Sequence, residues 1–184
     1  YGDHRYLHSF PTRRSSDLSD GGNGQLVNVV FVVIGNSGSD VNLRTDYWVF
    51  SEGALGAPAQ IVDDFENGLP SGSDVNGTPI GFYTFSDGSA ISIATTNTPP
   101  ALVPGSNDSN NVLAMTGNVN AFAGFIHGFE NTAVDTWVPQ DWSGFEGLSV
   151  WIYGQNTDTT LFVDVLDNRN PGSTSDDAER FTVT

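Results

Sequence analysis

The chain has no cysteine. Disulfides, thiolate nucleophiles and zinc–thiolate centres are therefore excluded. It has no lysine either: its six cations are all arginines, set against 22 carboxylates, and the formal net charge is -16. A surface this acidic repels phosphate backbones and anionic lipid, so neither nucleic acid nor a membrane is an expected partner. It suits a soluble secreted protein, or one from salty water. Long apolar runs are missing: the longest, LVNVVFVVIG, falls well short of the ~18 residues of a membrane span and is rich in β-branched residues, so it reads as a buried strand. Helical patterning is missing as well, because no window of about a dozen residues repeats apolar positions at i, i+3, i+4 and i+7. No nucleophile elbow, phosphate loop, HExxH motif or EF-hand spacing occurs. There are only five glutamates, and no spacing pairs two carboxylates as a glycosidase needs. The chain itself is therefore not expected to be an enzyme.

What is present is turn chemistry. Gly, Asn, Asp, Ser, Thr and Pro punctuate 184 residues every 8–12 positions, with aromatic and β-branched residues between. Strands are expected at 26–34, 41–50, 60–65, 80–86, 90–95, 111–116, 121–130, 147–153, 160–166 and 179–184. Many short antiparallel strands of this kind predict an all-β chain, an antiparallel jelly-roll β-sandwich. The length is enough for a sizeable core.

The first eighteen residues, YGDHRYLHSFPTRRSSDL, differ from the rest. They carry three arginines and two aspartates, so without them the charge moves from -16 to -17. The segment lacks the apolar centre of a secretory signal, and Pro11 spoils a presequence helix. A natural basic arm is one reading. The other is that HSFPTRRSSDL is the translation of a common short-read sequencing adapter. Extended upstream in frame, that adapter reads YGDHRDLHSFPTRRSSDL and differs only at Tyr6. Residues 1–18 thus resemble a translated adapter, are expected to be disordered, and mark the chain as an environmental-DNA fragment that lacks its natural N-terminus.

Residues 19–50 hold two strands around the turn NSGSD, and SEGALGAPAQ (51–60) reads as a linker. Two strands alone are not stable in water. They are either the tail of an upstream β-domain or part of the sandwich that follows.

Residues 61–184 resemble the N-terminal two thirds of a family 11-type carbohydrate-binding module. The likeness rests on VDDFENG, GFYTFSDG, VPQDWSGFEGLSVWIYG and LFVDVLDNRNPGSTSDDAERFTV. Such modules are galactose-binding-domain-like jelly rolls attached to secreted bacterial glycoside hydrolases. The resemblance implies a noncatalytic, monomeric module that binds a β-glucan-like polysaccharide and targets a tethered catalytic domain, outside a bacterial cell. It also implies a structural calcium near the first strand, with Asp64 and Glu66 as ligands, although Asp/Asn-rich loops are ordinarily just turns. In the family further strands follow ERFTVT, so the sandwich is expected to be incomplete at the C-terminus. VNLRTDYWVF looks like the family's last strand but lies upstream. Two tandem copies account for this, with 26–50 filling the vacant edge of the second.

Sugar binding needs aromatic faces for the C–H surface of a pyranose and side chains that bond hydroxyls in pairs. Alternation places Trp151 and Tyr153 on one face of their strand, opposite Leu148, Val150 and Ile152. Asp164 shares a face with Phe162 and Leu166, and a carboxylate there is expected at a groove or solvent. Asn168 and Arg169 follow at the strand exit, and arginine forks suit paired acceptors. The plain alternatives are core or outer-face aromatics and a loop salt bridge from Arg169 to Asp176 or Asp177. His127 shares a face with Phe125 and Phe129 and is either a core-edge histidine or a groove donor. Tyr83, on one face with Phe85, offers another stacking ring. Trp142 is expected to pack, and Trp137 is left open. Besides glycan binding, a structural or adhesive spacer and a fragment of a catalytic β-sandwich hydrolase are the readings carried forward.

Overall fold

In QLVNVVFVVI, Val29, Phe31 and Val33 form the core face; on the other face Val30 is also buried, Val32 is half-buried and Ile34 exposed. The computed structural model describes residues 4–7, 25–35, 38–51, 59–98, 109–141, 145, 147–154, 159–167 and 179–183. Among these residues there is no helix. The strands are β1 (His4–Leu7), β2 (Gln25–Ile34), β3 (Ser39–Ser51), β4 (Ala59–Asp63), β5 (Ser71–Ser73), β6 (Pro79–Ser86), β7 (Ala90–Thr96), β8 (Val112–Val119), β9 (Phe122–Gly128), β10 (Gln140–Asp141), β11 (Gly147–Gly154), β12 (Thr160–Asp167) and β13 (Glu179–Val183). The chain is all-β, and its strands form two antiparallel sheets in a sandwich of the jelly-roll type.

Sheet A runs β1-β11-β3-β8-β7, with β4 on β3; sheet B runs β13-β12-β2-β9-β6-β5, with β10 on β2. The two strands of residues 25–51 do not pair with each other. β2 lies between β12 and β9, and β3 lies between β11 and β8. Each therefore sits inside a sheet rather than at a vacant edge. Residues 51, 59 and 60 of the expected linker are strand, and 52–58 lie outside the described residues. Of the adapter-like segment, His4–Leu7 pairs with β11 and the rest lies outside them.

Each central strand shares one edge between two partners. β3 pairs with β8 along Ser39–Thr45 and with β4 along Trp48–Ser51. The exchange falls at Asp46–Tyr47, where Tyr47 takes a positive φ of 51° and β3 bulges by one residue against Ser149–Trp151 of β11. β2 likewise pairs with β9 along Asn28–Ile34 and with β10 along Gln25–Leu26. These two exchanges open the places described below.

The core is aromatic and joins the sheets. Trp48 of β3 stacks on Phe31 of β2 at 4.9 Å, and Phe31 stacks on Phe125 of β9 at 5.0 Å. Phe65 meets Trp48 edge-on at 5.3 Å. The Trp48 indole donates to Thr45 Oγ1 at 2.7 Å, which satisfies a buried donor. Phe65 holds a positive φ of 58°, uncommon for a bulky residue. Its amide is held by Asp63 Oδ1 at 2.7 Å and its ring is fully buried, so packing offsets the strain.

Candidate functional site

The expected site residues do not form one cluster. On β11, Leu148, Val150 and Ile152 face the core as alternation predicts. Trp151 is half-buried, but Tyr153 is only 8% exposed and packs with Val112. The outer face of sheet A is thus closed at Tyr153, and the two rings do not form an open platform together. Asn168 and Arg169 lie outside the described residues, as do Trp142, Asp176 and Asp177.

Asp164 and Tyr83 are on the other sheet. Cross-strand partners share a face, and the register aligns Asp164, Val30, Ile126 and Tyr83 in one row across β12, β2, β9 and β6. The next row is Phe162, Val32, Gly124 and Phe85. Three strand spacings make this face about 14 Å wide. Gly124 is a requirement of it: a Cβ there would lie 2.6 Å from the Phe85 ring and 2.1 Å from the Phe31 carbonyl oxygen. Gly128 does the same for Trp137, whose ring would lie 2.7 Å from an added Cβ. Tyr83 is half-buried, and burial raises its phenol above the ordinary value.

His127 faces the interior. It stacks on Phe82 at 4.0 Å and meets Phe129 edge-on at 5.0 Å, so it is the polar end of the aromatic core. Beyond it a cleft of about 170 Å³ opens between β4 and β10, lined by Gln60, Ile61, Asp63, His127, Glu130 and Gln140 among others. It lies where β10 replaces β9 beside β2. His127 Nε2 is 3.3 Å from a Glu130 carboxylate oxygen and Nδ1 is 3.9 Å from Asp63 Oδ2. Burial raises the Asp63 carboxyl, while His127 and the Phe65 amide hold it down. The histidine is therefore at the core edge, facing carboxylates and not backbone.

Asp64 and Glu66 lie just past β4, in the seam where β4 and β8 share the edge of β3. Asp64 Oδ1 accepts from the Glu66 amide at 3.2 Å. Both Glu66 oxygens accept from Asn111, at 2.8 Å from its amide and 3.1 Å from its side chain. Across the seam, Asp46 is 1% exposed and accepts from Asn110 Nδ2 at 2.8 Å and from the Tyr47 amide at 2.7 Å. Burial pushes its carboxyl up to about 6 against those two hydrogen bonds, with Glu66 and Asp64 adding to the rise. Among the described residues no three His, Asp or Glu side chains form a group that could hold a metal ion. Glu66 ties the seam together through its two hydrogen bonds to Asn111. Glu66→Ala is expected to cost about 1 kcal/mol in chemical denaturation, the size of a hydrogen bond to an exposed charged group. An unchanged midpoint would deny the seam role.

Asp63, next to the expected Asp64, is the residue that reaches the cleft. Gln60 and Gln140 carried no sequence signal. Glu130 did: HGFE puts an acid three residues past an inward-facing histidine at a strand end. Comparison with protein-family models, with curated proteins and with solved structures returns no match.

Proposed function

We propose that the chain is a noncatalytic glycan-binding module that holds a linked glycoside hydrolase at a β-glucan-like polysaccharide outside a bacterial cell. The observation that supports this reading is the outer face of sheet B. It carries the half-exposed rings of Tyr83, Phe85 and Phe162 with the Asp164 carboxylate in two adjacent rows. Flat rings beside a polar acceptor suit the two faces of a pyranose. Tethering through such a face raises the enzyme's local concentration at its substrate. Catalysis by the cleft is disfavoured, because the His127 imidazole stands between Asp63 and Glu130 where a scissile bond would have to lie. Among the described residues no helix is long and apolar enough to cross a membrane.

The test is an affinity gel containing a β-glucan. Tyr83→Ala is expected to weaken retention about tenfold, the scale of one lost stacking ring plus its buried area, while Tyr83→Phe keeps most of it. Absence of retention on any neutral polysaccharide, with the full chain shown folded, would overturn the reading. The burial of Tyr153 favours a second one, a structural spacer in a surface protein. A folded chain that binds no glycan supports that second reading.

A further inference from the structure

The cleft between β4 and β10 stands apart from the sheet face and has a chemistry of its own. Two carboxylates, Asp63 and Glu130, flank one imidazole, and even with the imidazole charged the three sum to -1. No arginine is among the described lining residues. Arg44, the arginine whose side chain is described, is on sheet A, donating to the Thr98 carbonyl.

The polar atoms here are not satisfied from within. The His127 side chain is 5% exposed, yet its Nδ1 makes no hydrogen bond among the described residues. One Glu130 oxygen, Oε2, is buried and likewise has none: it is 3.3 Å from Nε2 but not aligned for one. Buried polar atoms left without partners cost free energy, and a ligand that supplies them gains it. The unmatched carboxylate oxygen asks for a charged donor. The imidazole and the amides of Gln60 and Gln140 ask for groups that donate and accept, which hydroxyls do. Ile61, half-exposed at the cleft mouth, offers an apolar shelf. The space of about 170 Å³ is below the ~300 Å³ at which drug-sized pockets begin, so it admits one small ring or the end of a chain, not an extended polymer.

We infer that this cleft binds an amine-bearing sugar, with the protonated amine on Glu130 and neighbouring hydroxyls on Asp63, His127, Gln60 and Gln140. Neutral sugars enter with loss of the charged contact, and uronic acids are excluded by like charge. A hydrogen bond to a charged partner corresponds to about 10–100-fold in affinity, which sets the expected discrimination.

The experiment titrates the full chain with glucosamine, N-acetylglucosamine, glucose and glucuronate at 150 mM salt, by calorimetry or by shifts of the His127 ring resonances. Glucosamine is expected to bind at least tenfold more tightly than glucose or N-acetylglucosamine, and glucuronate not at all. Glu130→Gln should remove most of that preference. It alters one carboxylate among 22, so diffuse attraction of cations to the acidic chain barely changes. The comparison of glucosamine with its N-acetyl form needs no variant and holds even if Glu130→Gln folds poorly. Equal binding of the two, no binding of glucosamine, or a preference untouched by a folded Glu130→Gln would each overturn the inference. Tyr83→Ala reports on the sheet face and should leave glucosamine binding intact, so failure of one site is distinguishable from failure of the other.

Discussion

A chain trimmed to residues 59–184 is expected to show no cooperative unfolding transition. The trim removes β2 and β3, the strands that lie inside both sheets. Without β2, β12 and β9 lose their shared partner; without β3, β11 and β8 lose theirs. Six core side chains leave with them: Val29, Phe31, Val33, Val41, Leu43 and Trp48, all at most 4% exposed. At ~1.5–3 kcal/mol each, their burial is worth roughly 9–18 kcal/mol, against the ~5–15 kcal/mol that holds a typical domain together. The loss is therefore as large as the stability itself. The measurement is urea denaturation followed by tryptophan fluorescence and far-ultraviolet circular dichroism. Removal of residues 1–18 alone is the control. Within that segment, β1 lies at the outer edge of sheet A, and the adapter reading expects the fold to survive its loss. The opposite result for the long trim, a folded 59–184, would assign residues 19–50 to a separate upstream unit.

Where the strands lie was legible in the sequence; whom they pair with was not. All ten expected strands are present within a few residues of their expected bounds. The added ones, β1, β5 and β10, are four, three and two residues long, too short for a period to show. Inward and outward faces of β9, β11 and β12 follow simple alternation, because each packs one side on the core. Pairing depends on residues distant in sequence, so nothing in LVNVVFVVIG says that its neighbours come from 122–128 and 160–167. The same limit hid the site. Asp63, His127, Glu130 and Gln140 meet because β4 and β10 join their sheets off the main strand order. Alternation also failed in β3, and for a local reason. In RTDYWVF the positive φ at Tyr47 shifts the strand's period, so Trp48 faces the core with Thr45, while Asp46, just before the break, is buried on the other face beside Asn110.

That break has a consequence for pH. Stability is expected to fall as pH rises from about 4 through 6, with Asp46 the main cause. Its carboxyl is raised from 3.8 to about 6 in the folded chain, first by burial. A group whose folded pKa lies above its unfolded value favours the folded state while both forms are protonated. That contribution is complete below the unfolded value and is lost as pH rises through the folded one. A shift of about 2 units corresponds to about 3 kcal/mol, an upper bound because both Asp46 oxygens keep hydrogen bonds when ionised. Asp63, also raised by burial, acts in the same direction. Asp74, Asp87 and Asp135 act in the opposite one. Hydrogen bonds from Thr78, Ser89 and Asn131 hold them below the ordinary carboxylate value, and their contribution is lost only as pH falls below it. Asp46→Asn removes the charge with little change of shape, and the Asn110 amide can turn to accept from it. The variant is expected to be more stable than the parent at pH 7.5 by about 1–3 kcal/mol and to lose most of the slope between pH 4 and 6, with a residue left by Asp63. In a chain of this length each kcal/mol is worth about 2–4 °C in Tm. Thermal melts of parent and variant at pH 4, 5, 6 and 7.5 measure both effects. A parent that gains stability from pH 4 to 6, or a variant weaker than the parent at pH 7.5, would show that the Asn110 and Tyr47 hydrogen bonds outweigh the burial of the charge.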